Sequence, residues 1–412
     1  MKKLNLFVMS FSQNIISSII MLIILSFALI SMQDVIGQYR YITYSRYIIE
    51  NQYLQNSDYF MINPEIMMVP NPNEQLKQSN SIKEKISKFD GVEGVAVAQH
   101  STASYRSTTV NTEIYNDSMQ KAFSKELSEG VWFEQADKSD IPNVVIGGAV
   151  FNDIPIGSDI EIAMPDKNGN KVQQKVHVIG KIGYPWYAVS YATISNNVST
   201  KDFLIQINTI IFDDDKQTSE ILSKYNSFKS LSFSYFVIYN KECTDEQKEA
   251  VRDYYNSVGT YATYDQILEN TNDYIRDNLM KKIVTPIFLL IIATLTLISI
   301  ATLNTYKKLK DHSIYYLCGC SRKKSFAYLF AEISIVAILA TIINIIYVSV
   351  IMSQLSAGTM SYSGSIIDYK NIIYSMIYCI VTIAITVILP FIVYKKNTPL
   401  EVYRRNHNDW NI

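Results

Sequence analysis

The stretch IVTPIFLLIIATLTLISIATLNTY, which runs from Ile283 to Tyr306, contains no Asp, Glu, Lys or Arg. A helix needs about 20 mainly apolar residues to cross the hydrocarbon core of a membrane, so this stretch predicts a transmembrane helix. Three further stretches lack the same residue types: Leu4–Gln33, Ile333–Ile367 and Asn371–Tyr394. The 412-residue chain is therefore predicted to be a membrane protein, with one span near the N-terminus and three near the C-terminus.

The first apolar stretch could be taken for a signal peptide, because Lys2 and Lys3 precede it. Its 30 uncharged residues exceed the usual apolar core of a signal, and no small-x-small cleavage motif follows it cleanly. We therefore expect an uncleaved first span. The net charge of −1 selects no partner, and four cysteines in this length predict no disulfide framework.

Basic residues collect on one side of the predicted spans. Twelve basic and only three acidic residues lie before the first span, between the second and third, and after the fourth. The positive-inside rule then places both termini and the second-to-third loop in the cytoplasm. Lys281 and Lys282 oppose this orientation weakly, since they can snorkel. Residues 34–280, with 33 acidic and 22 basic residues, are predicted to lie outside.

These spans divide the chain into eight predicted parts. They are a leader with the first transmembrane helix (1–33), an extracytoplasmic domain with helical stalks (34–280), the second transmembrane helix (281–306), a cytoplasmic loop (307–324), the third transmembrane helix (325–352), an outer loop (353–370), the fourth transmembrane helix (371–394) and a cytoplasmic tail (395–412).

The predicted extracytoplasmic domain has an α+β pattern. Ser81–Phe89 predicts a short helix capped by Ser81, and Thr244–Val258 predicts a helix with Thr244 and Gln247 as a capping box. A single strand is expected within GVEGVAVAQHSTASY, which begins at Gly91. Further strands are expected within NVVIGG, DIEIAM, NKVQQKVHVIGKI and FSYFVIYN, and near Thr260–Thr263.

Both ends of this domain predict helical stalks. Residues 32–55 contain no Pro and a single Gly, so the first helix is expected to continue outward. Before the second span, apolar and small residues recur at spacings of four and three, which lines one face of a helix. This face includes Leu268, Ile275 and Leu279. The spacing allows a helix packed on its own domain and equally a helix continuous with the second span.

The chain lacks the motifs of an enzyme. No P-loop, H-E-x-x-H or G-x-S-x-G motif is present, and the predicted spans contain no Asp, Glu, Lys or Arg at depth. The run Asp213–Asp215 could bind a cation, although such a run is usually a solvated loop. A membrane-anchored enzyme is therefore disfavoured, and energy for any transport would have to come from a partner.

The loop LKDHSIYYLCGCSRKKS, Leu309 to Ser325, allows several interpretations. A zinc site would need Cys318, Cys320 and His312, but zinc usually takes four ligands, often from C-x₂₋₄-C pairs. A nucleic-acid patch would need interleaved aromatic residues and room to dock. A plain positive-inside loop is the simplest interpretation.

A protein-contact surface fits the pattern of this loop better. Ile314, Leu317 and Cys318 share a helix face, Gly319 can end that helix, and Ser321 can cap the next one. We expect a short amphipathic helix that lies along the membrane between two spans. A force on it would reach both spans directly.

These residues resemble the segment after the second span of MacB/FtsX-type ABC transporter permeases. The family pattern is basic-x-basic-E-I-G-x-x-x-A-x-G-A-S-basic, followed by an apolar run and a Glu. The matching residues are Lys308, Lys310, Asp311, Ile314, Gly319, Ser321, Arg322 and Glu332, and the departures are His312, Ser313 and Cys320. The tail is similar to the family's P-x-E-A-L-R at Pro399, Glu401 and Arg404, with Pro390 before it. ELSEGVWF, NVVIGGAVFNDIPIGSDIEI and VHVIGKI resemble the family's periplasmic core.

The resemblance implies a bacterial plasma-membrane protein with four transmembrane helices. Its α+β extracytoplasmic domain would have a porter-like βαβ region, made from both ends, and a β-rich insert. Two permease copies, identical or paralogous, would assemble with two ATPases. Because the sequence starts with only a short leader, a separate ATPase subunit is expected, which would carry ATP and Mg; this chain would bind no cofactor and no nucleic acid.

The resemblance assigns roles to three groups of residues. The ATPase-coupling residues would be Lys308, Lys310, Asp311, Ile314, Leu317, Gly319, Ser321 and Arg322. The tail contact would be Pro399, Glu401 and Arg404, and the stalk would carry Leu268, Ile275 and Leu279. ATP binding by the partner would draw the stalks together and move the outer domains, which is mechanotransmission.

Two functions follow from the resemblance. The chain could be the permease of an exporter for a peptide or a hydrophobic compound, or an FtsX-like regulator that acts on an extracellular hydrolase or a sensor kinase. An extracytoplasmic partner is possible in either case. The sequence does not identify the substrate.

Overall fold

The computed structural model describes residues 15–51, 54–67, 72–123, 127–137, 139–166, 168, 170–189, 197–222, 234–319, 321–356, 365–398 and 401. These residues divide into two compact units. The helical unit lies within Met1–Tyr41, Asn278–Ser353 and Gly364–Ile412, and the large domain lies within Ile42–Asp277 and Gln354–Ser363.

The helices fall into long ones, which comprise four apolar helices and the charged stalk α7, and shorter ones. The long helices are α1 (Ile15–Glu50), α7 (Tyr264–Lys282), α8 (Val284–Leu317), α9 (Arg322–Ser356) and α10 (Tyr369–Lys396). The shorter helices are α2 (Pro64–Met67), α3 (Pro72–Ile86), α4 (Asp117–Ala122), α5 (Lys216–Leu222) and α6 (Asp245–Val258). Four segments have the length and apolarity to cross a membrane: Ile15–Glu50, Tyr264–Asp311, Ile333–Gln354 and Tyr369–Lys396. The prediction of four spans is therefore confirmed by the length and composition of these helices.

The core of the helical unit is built from apolar residues of α1, α8, α9 and α10. Its central cluster contains Met21, Leu25, Leu29, Leu297, Ala301, Ile333, Val336, Ala337, Ala340 and Cys379. Small residues such as Ala337 and Ala340 let neighbouring backbones approach closely, which favours helix packing in a membrane. Most of the remaining apolar side chains on these helices are exposed, as lipid-facing residues would be.

The strands of the large domain form three sheets. The strands are β1 (Ser57–Ile62), β2 (Val92–Ala96), β3 (Ala98–Tyr105), β4 (Thr108–Tyr115), β5 (Leu127–Gly130), β6 (Asn143–Gly147), β7 (Asp159–Pro165), β8 (Lys171–Ile182), β9 (Tyr187–Val189), β10 (Leu204–Gln206), β11 (Thr209–Asp213), β12 (Ser234–Tyr239) and β13 (Gly259–Thr263). A four-stranded sheet and a seven-stranded sheet account for all but β9 and β10, which pair with each other.

The four-stranded sheet joins both ends of the large domain. Its order is β13-β1-β12-β2, and every neighbouring pair is antiparallel. Each half is a strand–helix–strand unit, β1-α3-β2 and β12-α6-β13, so the sheet has a split βαβ arrangement. Its core packs α6 on the sheet, with the rings of Phe60 and Tyr255 stacked 4.6 Å apart.

A buried ion pair fastens α6 to the first strand of this sheet. The Arg252 guanidinium donates to Asp58 at 3.0 Å, and the Asp58 side chain is only 2% exposed. The Tyr239 hydroxyl donates to the same carboxylate at 2.8 Å. The hydrogen bond to Asp58 raises the pKa of the Arg252 guanidinium above its ordinary value. Because all three groups satisfy one another, their burial does not leave an isolated charge.

The seven-stranded sheet closes on itself. Its order is β5-β8-β6-β11-β4-β3-β7, and β7 also pairs with β8. Six strands therefore form a closed barrel, with β5 as an added edge strand. Residues on β7 alternate between exposed and buried, and the buried ones fill the barrel together with Val144, Val178 and Phe212.

Two predictions for this domain are wrong. The stretch that follows Gly91 forms two strands in different sheets, because the Asn116 side chain binds Val95 O and Val97 N and interrupts strand pairing there. The helix predicted at Ser81–Phe89 is α3, which begins at Pro72, so Ser81 lies inside this helix. Proline is favoured at the first position of a helix. The capping box of Thr244 and Gln247 is confirmed.

Candidate functional site

Residues 318–321, here called the 318–321 turn, connect α8 to α9, and the structure describes all of them except Cys320. Helix α8 ends at Leu317, and the Gly319 N–H donates to the Tyr316 carbonyl at 2.9 Å. Gly319 has φ +89°, where a side chain is strained, although a Cβ there would meet no atom within 4 Å. The Ser321 hydroxyl accepts from Lys324 N at 3.4 Å, at the start of α9. The predicted helix end at Gly319 and cap at Ser321 are confirmed.

An apolar surface lies beside this turn. Ile314, Tyr316 and Leu317 are 44%, 45% and 53% exposed. Lys310 is exposed and Asp311 is half-buried on the same helical segment. An exposed apolar group edged by charged residues is the usual composition of a protein contact.

The helix that carries this surface differs from the prediction. The separate short helix along the membrane is wrong, because α8 runs without a break from Val284 to Leu317. No glycine or proline lies between Ile287 and Leu317 to end the helix earlier. Its opposite face is buried inside the helical unit, where Leu309 packs with Val393 and Tyr394.

Three of the predicted coupling or zinc-ligand residues are not part of the exposed surface that the structure describes. Lys308 is only 4% exposed, so the structure places it on the buried face of α8. Arg322 is the first residue of α9, and its side chain is not described. Cys320 lies outside the described residues, so the structure gives no arrangement for the zinc site that the sequence allows. The Cys318 thiol is free and exposed.

The start of the tail is held by a reciprocal cap. Thr398 N donates to the Glu401 carboxylate at 3.3 Å, and Glu401 N donates to the Thr398 hydroxyl at 3.4 Å. This pattern is a capping box and marks the start of a helix. Pro399 and Arg404, the other predicted tail contacts, lie outside the described residues.

The second stalk packs on its own domain through Thr271, which belongs to the predicted face, and through Ile267, which does not. Ile267 and Thr271 are buried in α7, whereas Leu268, Ile275 and Leu279 are half-buried. The Thr271 hydroxyl accepts from Thr200 N at 3.1 Å within the large domain.

Helical hydrogen bonds at Ile283 also join this stalk to α8, although Pro286 has no N–H to donate. Ile283 N donates to Leu279 O at 3.0 Å, and Ile287 N donates to Ile283 O at 3.1 Å. The two interpretations of the stalk sequence therefore each describe one part of it.

The acidic run on β11 is structural. Asp215 accepts from Thr218 N at 2.6 Å and so caps α5, while Asp213 accepts from the Gln120 amide at 2.6 Å. Among the described residues, no group of three or more His, Cys, Asp or Glu side chains could hold a metal ion. A cation site at Asp213–Asp215 therefore has no support.

Burial makes one of these carboxylates sensitive to pH. It raises the pKa of Asp213 above its usual value, and the hydrogen bond from the Gln120 amide offsets only part of this effect. Because the folded-state pKa lies above the unfolded one, the charged form destabilises the folded domain at neutral pH. This penalty disappears as the pH falls through the folded-state pKa. We expect Asp213→Asn, whose amide oxygen can still accept from Gln120, to raise the Tm at pH 7.5 and to leave it unchanged near pH 4.

Melting curves of the two chains across this pH range test that expectation. Asp140→Asn, at an exposed position, is the matched control and is expected to change little at either pH. Equal Tm values for Asp213→Asn and the unmodified chain at pH 7.5 would contradict the burial penalty.

The large domain also has an open cavity of about 810 Å³ beside the edge strand β2. Side chains of both charge signs line it, including Glu93, Lys121 and Lys241. A β-bulge in β2 lies next to it, between the partners of Ile238 and Tyr239. The sequence pattern did not predict this cavity.

No family model and no curated protein matches this chain. Solved structures match it over about half its length. They include the extracellular domain of the noncanonic ABC-type transporter YknZ from Gram-positive bacteria (12% identity, TM-score 0.30, 50% of this chain and 99% of that one). The periplasmic region of MacB from Actinobacillus actinomycetemcomitans matches at 14% identity and TM-score 0.34, covering 55% of this chain and 98% of that one.

A third match is a domain of a putative permease protein from Porphyromonas gingivalis, with 11% identity and TM-score 0.27, covering 50% of this chain and 84% of that one. The three are named as an ABC-type transporter, as MacB and as a putative permease. All three TM-scores lie below 0.5, so these matches carry no functional argument. The function is therefore argued from the residues of this chain.

Proposed function

We propose that this chain is the permease subunit of an ABC transporter and that a separate ATPase subunit docks on the 318–321 turn. The observation that carries the proposal is the exposed apolar surface of Ile314 and Leu317 at the end of a membrane helix, directly before the left-handed Gly319. A contact at this position would move α8 and α9 together. The chain has no P-loop of its own, so ATP and Mg would bind to the partner.

The charge pattern supports the orientation that this function needs. Exposed Lys307, Lys310, Lys323 and Lys324 flank the turn, and Lys395 and Lys396 end α10. Basic residues at these helix ends favour the cytoplasmic side. The large domain would then lie outside the cell and would receive the motion, to export a peptide or a hydrophobic compound. In a two-permease assembly, a second copy of this chain or a paralogue would complete the complex.

Copurification of this chain with an ABC ATPase from its own cells tests the proposal. Gly319→Val strains the turn without a steric clash, so we expect the chain to be made and inserted normally. The bound ATPase is expected to hydrolyse ATP without driving movement of the large domain. Gly157→Val is the matched control, because Gly157 lies in the large domain with φ +79° and also has no atom within 4 Å of a Cβ.

Two results of that experiment are decisive. An unmodified chain that captures no ATPase would contradict the proposal. Capture of a cell-wall hydrolase or a sensor kinase by the large domain, with no export, would favour the FtsX-like alternative over export.

A further inference from the structure

Polar residues line the contact between the C-terminal half of α1 and the start of α10, within the helical unit. We call this set the polar ladder; it consists of Gln33, Gly37 and Arg40 on α1 and of Asp368, Asn371 and Ser375 at the start of α10. Spacings of three and four residues place each set on one helix face. The two sets pair in opposite chain order, as antiparallel helices require.

The first rung is a two-pronged ion pair. Arg40 donates to the two Asp368 carboxylate oxygens at 2.6 and 2.8 Å, and to Asn371 Oδ1 at 2.5 Å. The Arg40 and Asp368 side chains are 21% and 16% exposed. Asp368 also accepts from Lys370 N at 2.8 Å and caps α10. A bidentate, largely desolvated pair holds its geometry far better than a surface ion pair.

The second rung needs a residue without a side chain. The Gly37 carbonyl accepts from Ile366 N at 3.0 Å, and a Cβ on Gly37 would collide with the Ser365 hydroxyl. Asn371 Nδ2 donates to the Ile366 carbonyl at 2.8 Å. The segment before α10 is thereby held against α1 through its backbone.

The third rung is fully buried and brings in α9. Gln33 Nε2 donates to Ser375 Oγ at 3.0 Å and to Asn344 Oδ1 at 3.2 Å, and Asn344 Nδ2 donates to Ser375 Oγ at 3.0 Å. These residues are 0–1% exposed. Among the described residues, nothing binds the Gln33 amide oxygen. A buried unsatisfied acceptor costs about 1–3 kcal/mol. The contribution of this rung to folding stability therefore does not by itself explain its presence.

Helix α10 also contacts α8, the helix that ends in the 318–321 turn. The hydroxyls of Thr294 and Tyr378 lie 3.2 Å apart, and Leu309 packs with Val393 and Tyr394 at the far end. Within the helical unit, α10 is therefore bonded to α8 on one side and to α1 on the other. A displacement of α8 would be transmitted to α1 by α10, because α10 contacts both helices.

We propose that the polar ladder is the clamp that makes α1 follow α10, so that work entering at the 318–321 turn is carried to the first span. Arg40 and Asp368 are positioning residues for this motion. The inference rests on the proposed function, since it needs a partner that does work on the turn.

The test uses the full chain and its ATPase in nanodiscs. Thermal melting is measured for Arg40→Glu, Asp368→Arg and the exchanged pair Arg40→Glu with Asp368→Arg. Each single change is expected to lower the Tm, and the exchange is expected to restore the part due to the ion pair, while the cap that Asp368 gives α10 stays lost. Lys370→Glu, an exposed charge change beside the ladder, is expected to leave the Tm unchanged.

Motion is read from the ATP-dependent distance between spin labels on the two permease copies. The labels are attached through an unnatural residue at exposed Glu161 of the large domain. Arg40→Glu is expected to reduce the ATP-dependent change at least fivefold, and the exchanged pair to recover it. Gln33→Leu, which removes the third rung without a charge change, is expected to keep the Tm and still reduce the motion.

Three outcomes overturn the inference. The first is full ATP-dependent motion in Arg40→Glu and Gln33→Leu, which would leave the ladder a structural contact only. The second is an exchanged pair that restores neither Tm nor motion. The third is an unmodified chain that shows no ATP-dependent motion; this removes the proposed function as well, and is recognised because the melting cycle still shows the Arg40–Asp368 coupling.

Discussion

Leu317→Asp is expected to abolish capture of the ATPase subunit. Leu317 is 53% exposed at the end of α8 and would be buried in the docked complex. A carboxylate there would have to be desolvated in an apolar contact, which costs several kcal/mol. At about 1.4 kcal/mol per tenfold change in affinity, we expect binding to weaken by about 100-fold or more. Titration of the ATPase onto the chain in nanodiscs measures this.

Val131→Asp is the matched control for Leu317→Asp. Val131 is an apolar residue of the large domain with 36% exposure, so it accepts the same chemical change away from the turn. The Val131→Asp chain is expected to bind the ATPase with the same affinity as the unmodified chain. If Val131→Asp weakened binding while Leu317→Asp did not, the docking surface would have to lie on the large domain.

Asp58→Ala is expected to destabilise the large domain strongly. It removes the buried carboxylate partner of half-buried Arg252, which keeps only the exposed Glu249, and it removes the acceptor of the Tyr239 hydroxyl. Breaking a buried ion pair from one side costs about 3–5 kcal/mol. For a domain of this size that corresponds to a Tm lower by roughly 10 °C. Differential scanning calorimetry of the full chain measures the shift.

The Arg106–Asp153 pair supplies the control for Asp58→Ala. Its atoms are as close, at 2.6 Å, but its side chains are 54% and 60% exposed. Exposed ion pairs contribute about 0–1 kcal/mol, so Asp153→Ala is expected to lower the Tm by no more than about 3 °C. Equal shifts for Asp58→Ala and Asp153→Ala would show that the burial of Asp58 does not matter.

Features set by neighbouring residues could be predicted from the sequence. The long uncharged stretches predict the membrane helices, since length and apolarity decide them locally. The helix end at Gly319 and the capping box of Thr244 and Gln247 depend on residues at most a few positions apart. Such short-range patterns are visible without the fold.

Features set by distant residues could not be predicted. The strand after Gly91 is split by Asn116, about 20 residues away, and the pattern of small and β-branched residues gives no sign of it. Arg40 and Asp368 are 328 positions apart. In the sequence they simply flank two apolar stretches, and only packing makes them partners. The buried face of α8 at Lys308 is hidden for the same reason.

The placement of the docking surface is tested most directly from the exposed thiol of Cys318. A chain whose only cysteine is Cys318 is labelled with a membrane-impermeant photo-crosslinker, in intact cells and in inverted membrane vesicles. Docking at the 318–321 turn predicts labelling only in the vesicles and, after illumination, a covalent adduct with an ABC ATPase. Labelling in intact cells, or vesicles that yield no adduct with any ATPase, would contradict it.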